Sequence, residues 1–522
     1  MATQEQKLNP YFVDDLQSII ERQDADKIQE NYSPLLINIS LDRPGTWIKR
    51  KGIDMLGVSQ SGNGVYGLVS YKKNDGINKL RAIRSTDLDE YDTTWTSLDT
   101  AQFTASTFVS STNYLNRVYH ISPLDSLCYE SGGTCTDVGT GDDRIKANQV
   151  VTTQNTLFVC GVSYGVGAVQ TWQDRVYYSL FDTTNNIPSH QLWEDAEGDL
   201  TSSTRFFTLL TPHKASVAFN GLSYHFTADR CFEFDITTTS VKEVFNIGCA
   251  GPRAVTECNG WLIWMSPDGR IWGWGGAGQP MPMSWAIEDD VNGEAIINKI
   301  SASNISAVSA GSLGNKFYFS VGGITVYNET ISNAVIVGLL TQNLDNVLFS
   351  IYSYPYEPQI WANIKISNKE SLVFGSSGVD DVFQVETGVN DGSTAISAKA
   401  KTSMLGFDSP LLNKDFEHLL VRFRPQSSSD TFLKVKYAID GETAYTVLSD
   451  PDNSVTGAGK IDMYDSSSTK RSLTKILKFP QEASGQLLSL EFSNDQLNES
   501  FEISGFGIKY PDVSPINIQL DS

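Results

Sequence analysis

Asn259-Gly260-Trp261-Leu262-Ile263-Trp264-Met265-Ser266-Pro267-Asp268-Gly269-Arg270-Ile271-Trp272 reads as turn, strand, turn, strand. Asn-Gly tolerates positive φ at both central positions of a tight hairpin turn, and Asp-Gly does the same nine letters on. The five apolar residues Trp261 to Met265 between them are too few for a helix and too apolar for a surface loop. The run therefore specifies one β-hairpin, buried on both faces.

Outward from it the pattern repeats. An Asn-containing turn precedes an aromatic or aliphatic strand at Asn78, Asn113, Asn155, Asn220, Asn315 and Asn368 as well as at Asn259. The spacing is irregular, and seven occurrences predict six or seven units between about residues 58 and 390. Short strands this apolar, with no helices to cover them, are buried economically when four-stranded sheets stand radially and close on themselves. The expected fold is an all-β chain: a β-propeller of six to seven blades. A large sandwich or several barrels is the competing architecture, because spaced hairpins alone do not dictate closure.

Two flanking regions read differently. In residues 1–57, Phe12, Leu16, Ile19 and Ile20 recur at offsets near four and seven, which predicts an arm with a short helix. The arm then carries the turn Gly45-Thr46-Trp47-Ile48-Lys49-Arg50-Lys51-Gly52, a strand and a basic cluster bounded by glycines. In residues 391–522 the strands lengthen and alternate regularly. Leu433, Val435 and Tyr437 fall on one face and Lys434 and Lys436 on the other, with Asp440-Gly441 as a turn and Gly505 as a bulge or turn. That predicts a separate C-terminal antiparallel β domain.

Composition sets the bounds of function. The 522 residues are 40% hydrophobic and 11% aromatic, with 41 glycines, as expected of a folded β-rich protein. Against 39 basic residues stand 61 acidic ones, a net charge of −22 that opposes any grip on phosphate backbones. The same charge would let DNA slide past without adhering. The longest apolar run, Ala334 to Leu340, is strand length, and the polar start lacks the apolar core of a secretion signal, so no membrane association and synthesis in a cytoplasm are expected.

Chemistry-bearing motifs are sparse. The histidines at 120, 190, 213, 225 and 418 stand apart in sequence, and neither a nucleophile elbow, a zincin helix nor a phosphate-binding glycine loop occurs. His225 and His418 lie in apolar strands and read as core or interface groups. The six cysteines, at 128, 135, 160, 231, 249 and 258, lack paired spacing and read as buried thiols, with Cys128 and Cys135 able to meet across Gly132-Gly133. Ser266 to Trp272 is one residue short of a sialidase-type Asp-box, and Asp440 to Tyr445 has a similar look. Asp137 to Asp143 and Asp450 to Asn453 offer oxygens without an EF-hand pattern. Trp261, Trp264, Trp272, Trp274 and Trp285 could form a sugar-stacking platform or, more ordinarily, core. No catalytic residue, metal or cofactor is expected.

Three strings together resemble the tailed-phage family of tail-nozzle and head-to-tail stabilisation proteins. They are Asn38 to Gly57, with its Gly-x-x-x-Lys-Arg-x-Gly turn at Gly45, Lys49, Arg50 and Gly52; Thr171 to Glu194; and Gly248 to Ile287, with its glycine-rich blade and Ser284-x-x-Ile287 element. Lys414 to Pro425 and Phe501 to Tyr510 are similar to that family's closing β domain. The resemblance implies a non-enzymatic virion protein of a bacteriophage tail, a homohexameric ring beneath a portal or adaptor protein and above distal tail proteins. Such a ring retains packaged DNA and passes it at ejection without sequence-specific binding. Compared with the large nozzle proteins the chain is short, closer to the compact stabilisation type. The alternative reading is a glycan-binding or glycan-cleaving propeller.

Overall fold

The computed structural model describes residues 8–21, 28–58, 64–72, 76, 78–114, 116–138, 145–164, 170–182, 187–189, 205–288, 295–341, 347–407, 410–426, 431–448, 460–465 and 472–511. Seven antiparallel four-stranded units follow one another. Blade one spans residues 65–99, blade two 110–137, blade three 145–208, blade four 215–245, blade five 255–282 and blade six 309–353. Blade seven takes three strands from residues 360–387 and its fourth, Gly52–Met55, from the N-terminal arm. The first strand of each blade packs against the first strand of the next, and Ile360–Ile366 of blade seven packs against Val65–Lys72 of blade one. The ring is thus a closed seven-bladed propeller.

Local chemistry accounts for the hairpins. Asn220 and Gly221 have φ of 49° and 79°, and Asn259 and Gly260 have 50° and 76°, the paired left-handed conformations that a two-residue hairpin turn needs. The strand Trp261–Met265 that follows is almost wholly buried, with Leu262, Ile263, Trp264 and Met265 at 0% exposure. Each such side chain contributes about 1.5–3 kcal/mol by leaving water. Not every expected turn is one: Asn113 lies within the strand Ser110–Tyr114, and the turn after it holds Asn116 at φ 61°.

The C-terminal region is a two-sheet sandwich. One sheet runs Ile39–Ser40, Trp47–Lys49, Glu502–Pro511, His418–Phe423 and Leu473–Lys478. The other contains Leu35–Ile37, Ala398–Lys401, Leu488–Asn494 and Phe432–Ile439, with Thr446–Val447 and Lys460–Asp462 on the last. Phe492 of the second sheet packs on Trp47 and Phe506 of the first, with ring centroids 6.4 and 5.6 Å apart. Leu433, Val435 and Tyr437 point into this core and Lys434 and Lys436 away from it, as the alternation predicts. Opposite Arg422 and Phe423 the register shifts across Ser504, beside Gly505, which is the expected bulge.

Propeller and sandwich are not separate bodies. Leu35–Ile37 pairs in parallel with the outer strand of blade six, Ile37 opposite Ile351, and antiparallel with Ala398–Lys401. Blade six and the second sandwich sheet therefore form one continuous ten-stranded sheet.

The arm departs from the sequence expectation in one respect. Residues 8–21 contain no helix; Leu8–Asp14 is a strand paired along its whole length with Glu502–Pro511. The 3.6-like spacing there is overridden by a partner strand nearly five hundred positions away, which satisfies the backbone and buries Val13.

Candidate functional site: the ring closure and the axial cavity

The segment from Gly45 to Gly52 lies at the meeting point of arm, ring and sandwich. Gly45 is left-handed at φ 72°, and a Cβ there would stand 3.0 Å from Asp15 Oδ1. Lys49, 2% exposed, donates to Asn494 Oδ1 at 2.8 Å and to the Gln496 carbonyl at 3.0 Å, both in the sandwich. Burial, and then the neighbouring Arg50 charge, push its pKa down to about 8. At Gly52 a Cβ would fall 1.5 Å from the Asn390 carbonyl oxygen, so only glycine lets the arm run this close to the end of blade seven.

Arg50 is the centre of the junction. Its guanidinium donates to both oxygens of Asp391 (2.8 and 2.6 Å), to Asn38 Oδ1 (2.7 Å), and to the carbonyls of Lys51 (2.9 Å) and Ser353 (2.7 Å). It also lies over the rings of Tyr354 and Tyr352, 4.5 and 5.6 Å from their centroids. Asn38, at φ 56°, also accepts from the Ser353 amide on the same Oδ1 at 2.8 Å. Beside this, Lys316 of blade six joins Asp42 of the arm (2.6 Å) and Glu386 of blade seven (2.9 Å), and Tyr318 donates to the same Glu386. Against the downward push of burial, Tyr352, Glu386 and Asp42 together raise the Lys316 pKa and hold it charged.

At the axis, the innermost strands border a cavity of about 210 Å³ lined by Phe108, Gln149, Arg253, Ser309 and Trp361 among others. Arg253 crosses it. The guanidinium stacks 3.6 Å above the Phe108 ring and donates to the Gln359 carbonyl at 2.6 Å and the Ala307 carbonyl at 3.3 Å. Burial pushes its pKa down to about 10. Gln149 ties blade three to blade four through the Ser216 amide and carbonyl. Arg253 and Phe108 thus narrow the middle of the ring, whose lining is part polar and part apolar.

The remaining motif residues are spent on the fold. Ser266 to Trp272 forms a hairpin turn: the Arg270 carbonyl accepts from Ser266 N at 2.9 Å, and Trp272 Nε1 donates to Ser266 Oγ at 3.1 Å. Asp440 Oδ1 accepts from the amides of Gln486 and Leu487. Trp264 and Trp274 are buried, and their indoles donate to the Gly248 and Gly278 carbonyls. Ser284 Oγ accepts from the Ile271 amide at 2.8 Å. Arg175, in the second family-like string, stacks on Trp172 and Phe206. His225 is fully buried, and His418 is part-exposed beside Glu417. All six cysteines are buried and unbridged, and Cys128 and Cys135 do meet, which raises the Cys128 thiol pKa. Most of Asp137 to Asp143, all of Asp450 to Asn453, and His190 lie outside the described residues.

One grouping has no counterpart in the sequence reading. Cys160 of blade three converges with His225 of blade four and with His213, just before that blade, inside the molecule. Sixty-five residues of sequence between Cys160 and His225 conceal the contact, and no local spacing signals it.

No family model matches the chain, and no curated protein is significantly similar to it. Among solved structures, virginiamycin B lyase from Staphylococcus aureus aligns at 10% identity over 64% of this chain and 98% of its own, with a TM-score of 0.38. The WD40 repeats of RRP9 align at 10% identity over 65% and 99%, TM-score 0.41. BamB from Moraxella catarrhalis aligns at 11% identity over 65% and 98%, TM-score 0.36.

Proposed function

We propose that the protein is a non-enzymatic structural subunit of a tailed-phage tail, one copy of a ring below the portal or adaptor that retains DNA and passes it at ejection. The observation that carries this reading is the junction at Arg50. The string that most resembles the tail-nozzle and stabilisation family, Gly45 to Gly52, fastens arm, propeller and sandwich into one stiff body through Lys49 and Arg50. A subunit that must hold its shape against packaged DNA needs that stiffness.

The narrow axis adds a geometric condition. With Arg253 stacked on Phe108 beside a cavity of about 210 Å³, far too small for a duplex, DNA would pass between copies, along a lumen walled by subunit exteriors. A net charge of −22 suits such a wall, because it repels phosphate and keeps the duplex mobile. The test is immunogold electron microscopy of phage particles with antibody raised against the recombinant chain. Label confined to one vertex of the particle is the expected result; particles without label overturn the reading.

A further inference from the structure

We propose that Cys160, His213 and His225, capped by Ser216, form a structural binding site for one soft d¹⁰ metal ion, Zn²⁺ or Cu⁺, that clamps blade three to blade four. This does not depend on the tail reading. One ligand atom from each of the three residues lies within 4.8 Å of the others, and all three residues are buried. Cys160 Sγ and His225 Nδ1 are 3.8 Å apart. Ligands at about 2.3 Å (sulfur) and about 2.0 Å (nitrogen) from a shared ion, spread by 120°, would be separated by roughly that distance.

Ser216 Oγ completes the set. It lies 2.7 Å from His213 Nε2, 2.7 Å from His225 Nδ1 and 3.2 Å from Cys160 Sγ, so the four donors converge on one small volume. Each is placed by the fold. Cys160 stands beside a bulge at Gly161 (φ 66°), a device that re-aims side chains. Ser216 and His225 are directly opposed across two strands of blade four. His213 is held to blade three by its amide, 2.7 Å from the Gln173 carbonyl.

The surroundings favour a soft ion over a hard one. Phe158 and Phe207 flank the His225 ring at centroid distances of 5.5 and 5.1 Å. Thiolate and imidazole are the ligands that zinc and cuprous copper take, whereas calcium and magnesium require oxygens. On binding, the Cys160 S–H bond breaks, its proton leaves to solvent, and the sulfur lone pair forms the bond to the metal.

The experiment uses the full chain without an affinity tag, purified under reducing conditions from cells supplied with zinc and copper. Elemental analysis should find about one equivalent of one ion per chain, and its identity separates zinc from copper. Cobalt(II) added to metal-stripped protein should give a near-ultraviolet thiolate-to-cobalt band. Both signals should vanish in Cys160→Ser and the metal content should fall at least tenfold in His213→Gln. The cobalt band on the unaltered chain needs no variant to fold. Background metal together with no cobalt band overturns the proposal, as does full metal retention in Cys160→Ser.

Discussion

Arg50 and Asp391 face each other as a two-pronged ion pair, Nη1 to Oδ1 at 2.8 Å and Nη2 to Oδ2 at 2.6 Å, with side chains 0% and 7% exposed. Arg50 belongs to the arm, and Asp391 follows blade seven at the point where the chain leaves for the sandwich. Removing one partner leaves the other charge buried, a loss of about 3–5 kcal/mol. Asp391→Leu should lower the urea midpoint of unfolding accordingly at unchanged slope. A shift under half a kcal/mol would show the pair to be dispensable.

Gly52→Ala tests the close approach of the arm to blade seven. A methyl group 1.5 Å from a carbonyl oxygen cannot be accommodated without moving backbone, so the expected loss is at least about 3 kcal/mol. Gly392→Ala is the control, since a Cβ there meets nothing within 4 Å; it carries only the strain of its φ of 60°. Thermal melts of both variants check the contrast.

Blades one and two share a second buried pair. Arg81 Nε donates to Glu130 Oε2 at 2.8 Å and Nη2 to Oε1 at 3.1 Å, with both side chains essentially unexposed. Glu130 Oε1 also accepts from the Gly133 amide at 3.0 Å. Glu130→Ala should cost about 3–5 kcal/mol, and hydrogen exchange should localise the loosening to the strands of these two blades.

His120 predicts an acid response. Burial, and then the Arg81 charge, push its pKa down to about 3, whereas an unfolded histidine titrates near 6.5. Between those values the unfolded chain binds the extra proton, so stability must rise with pH there and fall as acid is added. His120→Asn, which can keep a bond to Ser111 Oγ, should remove up to about 1.4 kcal/mol per pH unit from the slope between pH 6.5 and 5. Equal slopes in the two proteins would contradict the assignment.

Sequence reading succeeded where the physics is local. The Asn-Gly turns at 220 and 259 and the alternation from Leu433 to Tyr437 are each decided by a few neighbouring residues. It failed where distant chain competes with local periodicity. Phe12 and Leu16 keep helical spacing, yet the strand Glu502–Pro511 claims Leu8–Asp14. The fourth strand of blade seven could not be read from either of its two sources alone. Gly45, Lys49, Arg50 and Gly52 were singled out as a string, but nothing in the string says that Asp391, Ser353 and Asn494 meet it. The Cys160–His213–His225 grouping was missed for the same reason.

Closure of the ring by Gly52–Met55 also sets a timetable. Met55 pairs with Phe383, about 330 residues later in the chain, a separation that makes this contact slow to form. At ribosomal rates the strand emerges roughly 15–65 s before its partner. Blades one to six can assemble in that interval, each on hairpins made of near neighbours. Throughout it, Gly52–Met55 must remain solvated and unmatched, an open edge that another nascent copy could capture. Crowded polysomes making this protein should therefore yield strand-exchanged dimers, and those dimers should become rarer when translation is initiated sparsely.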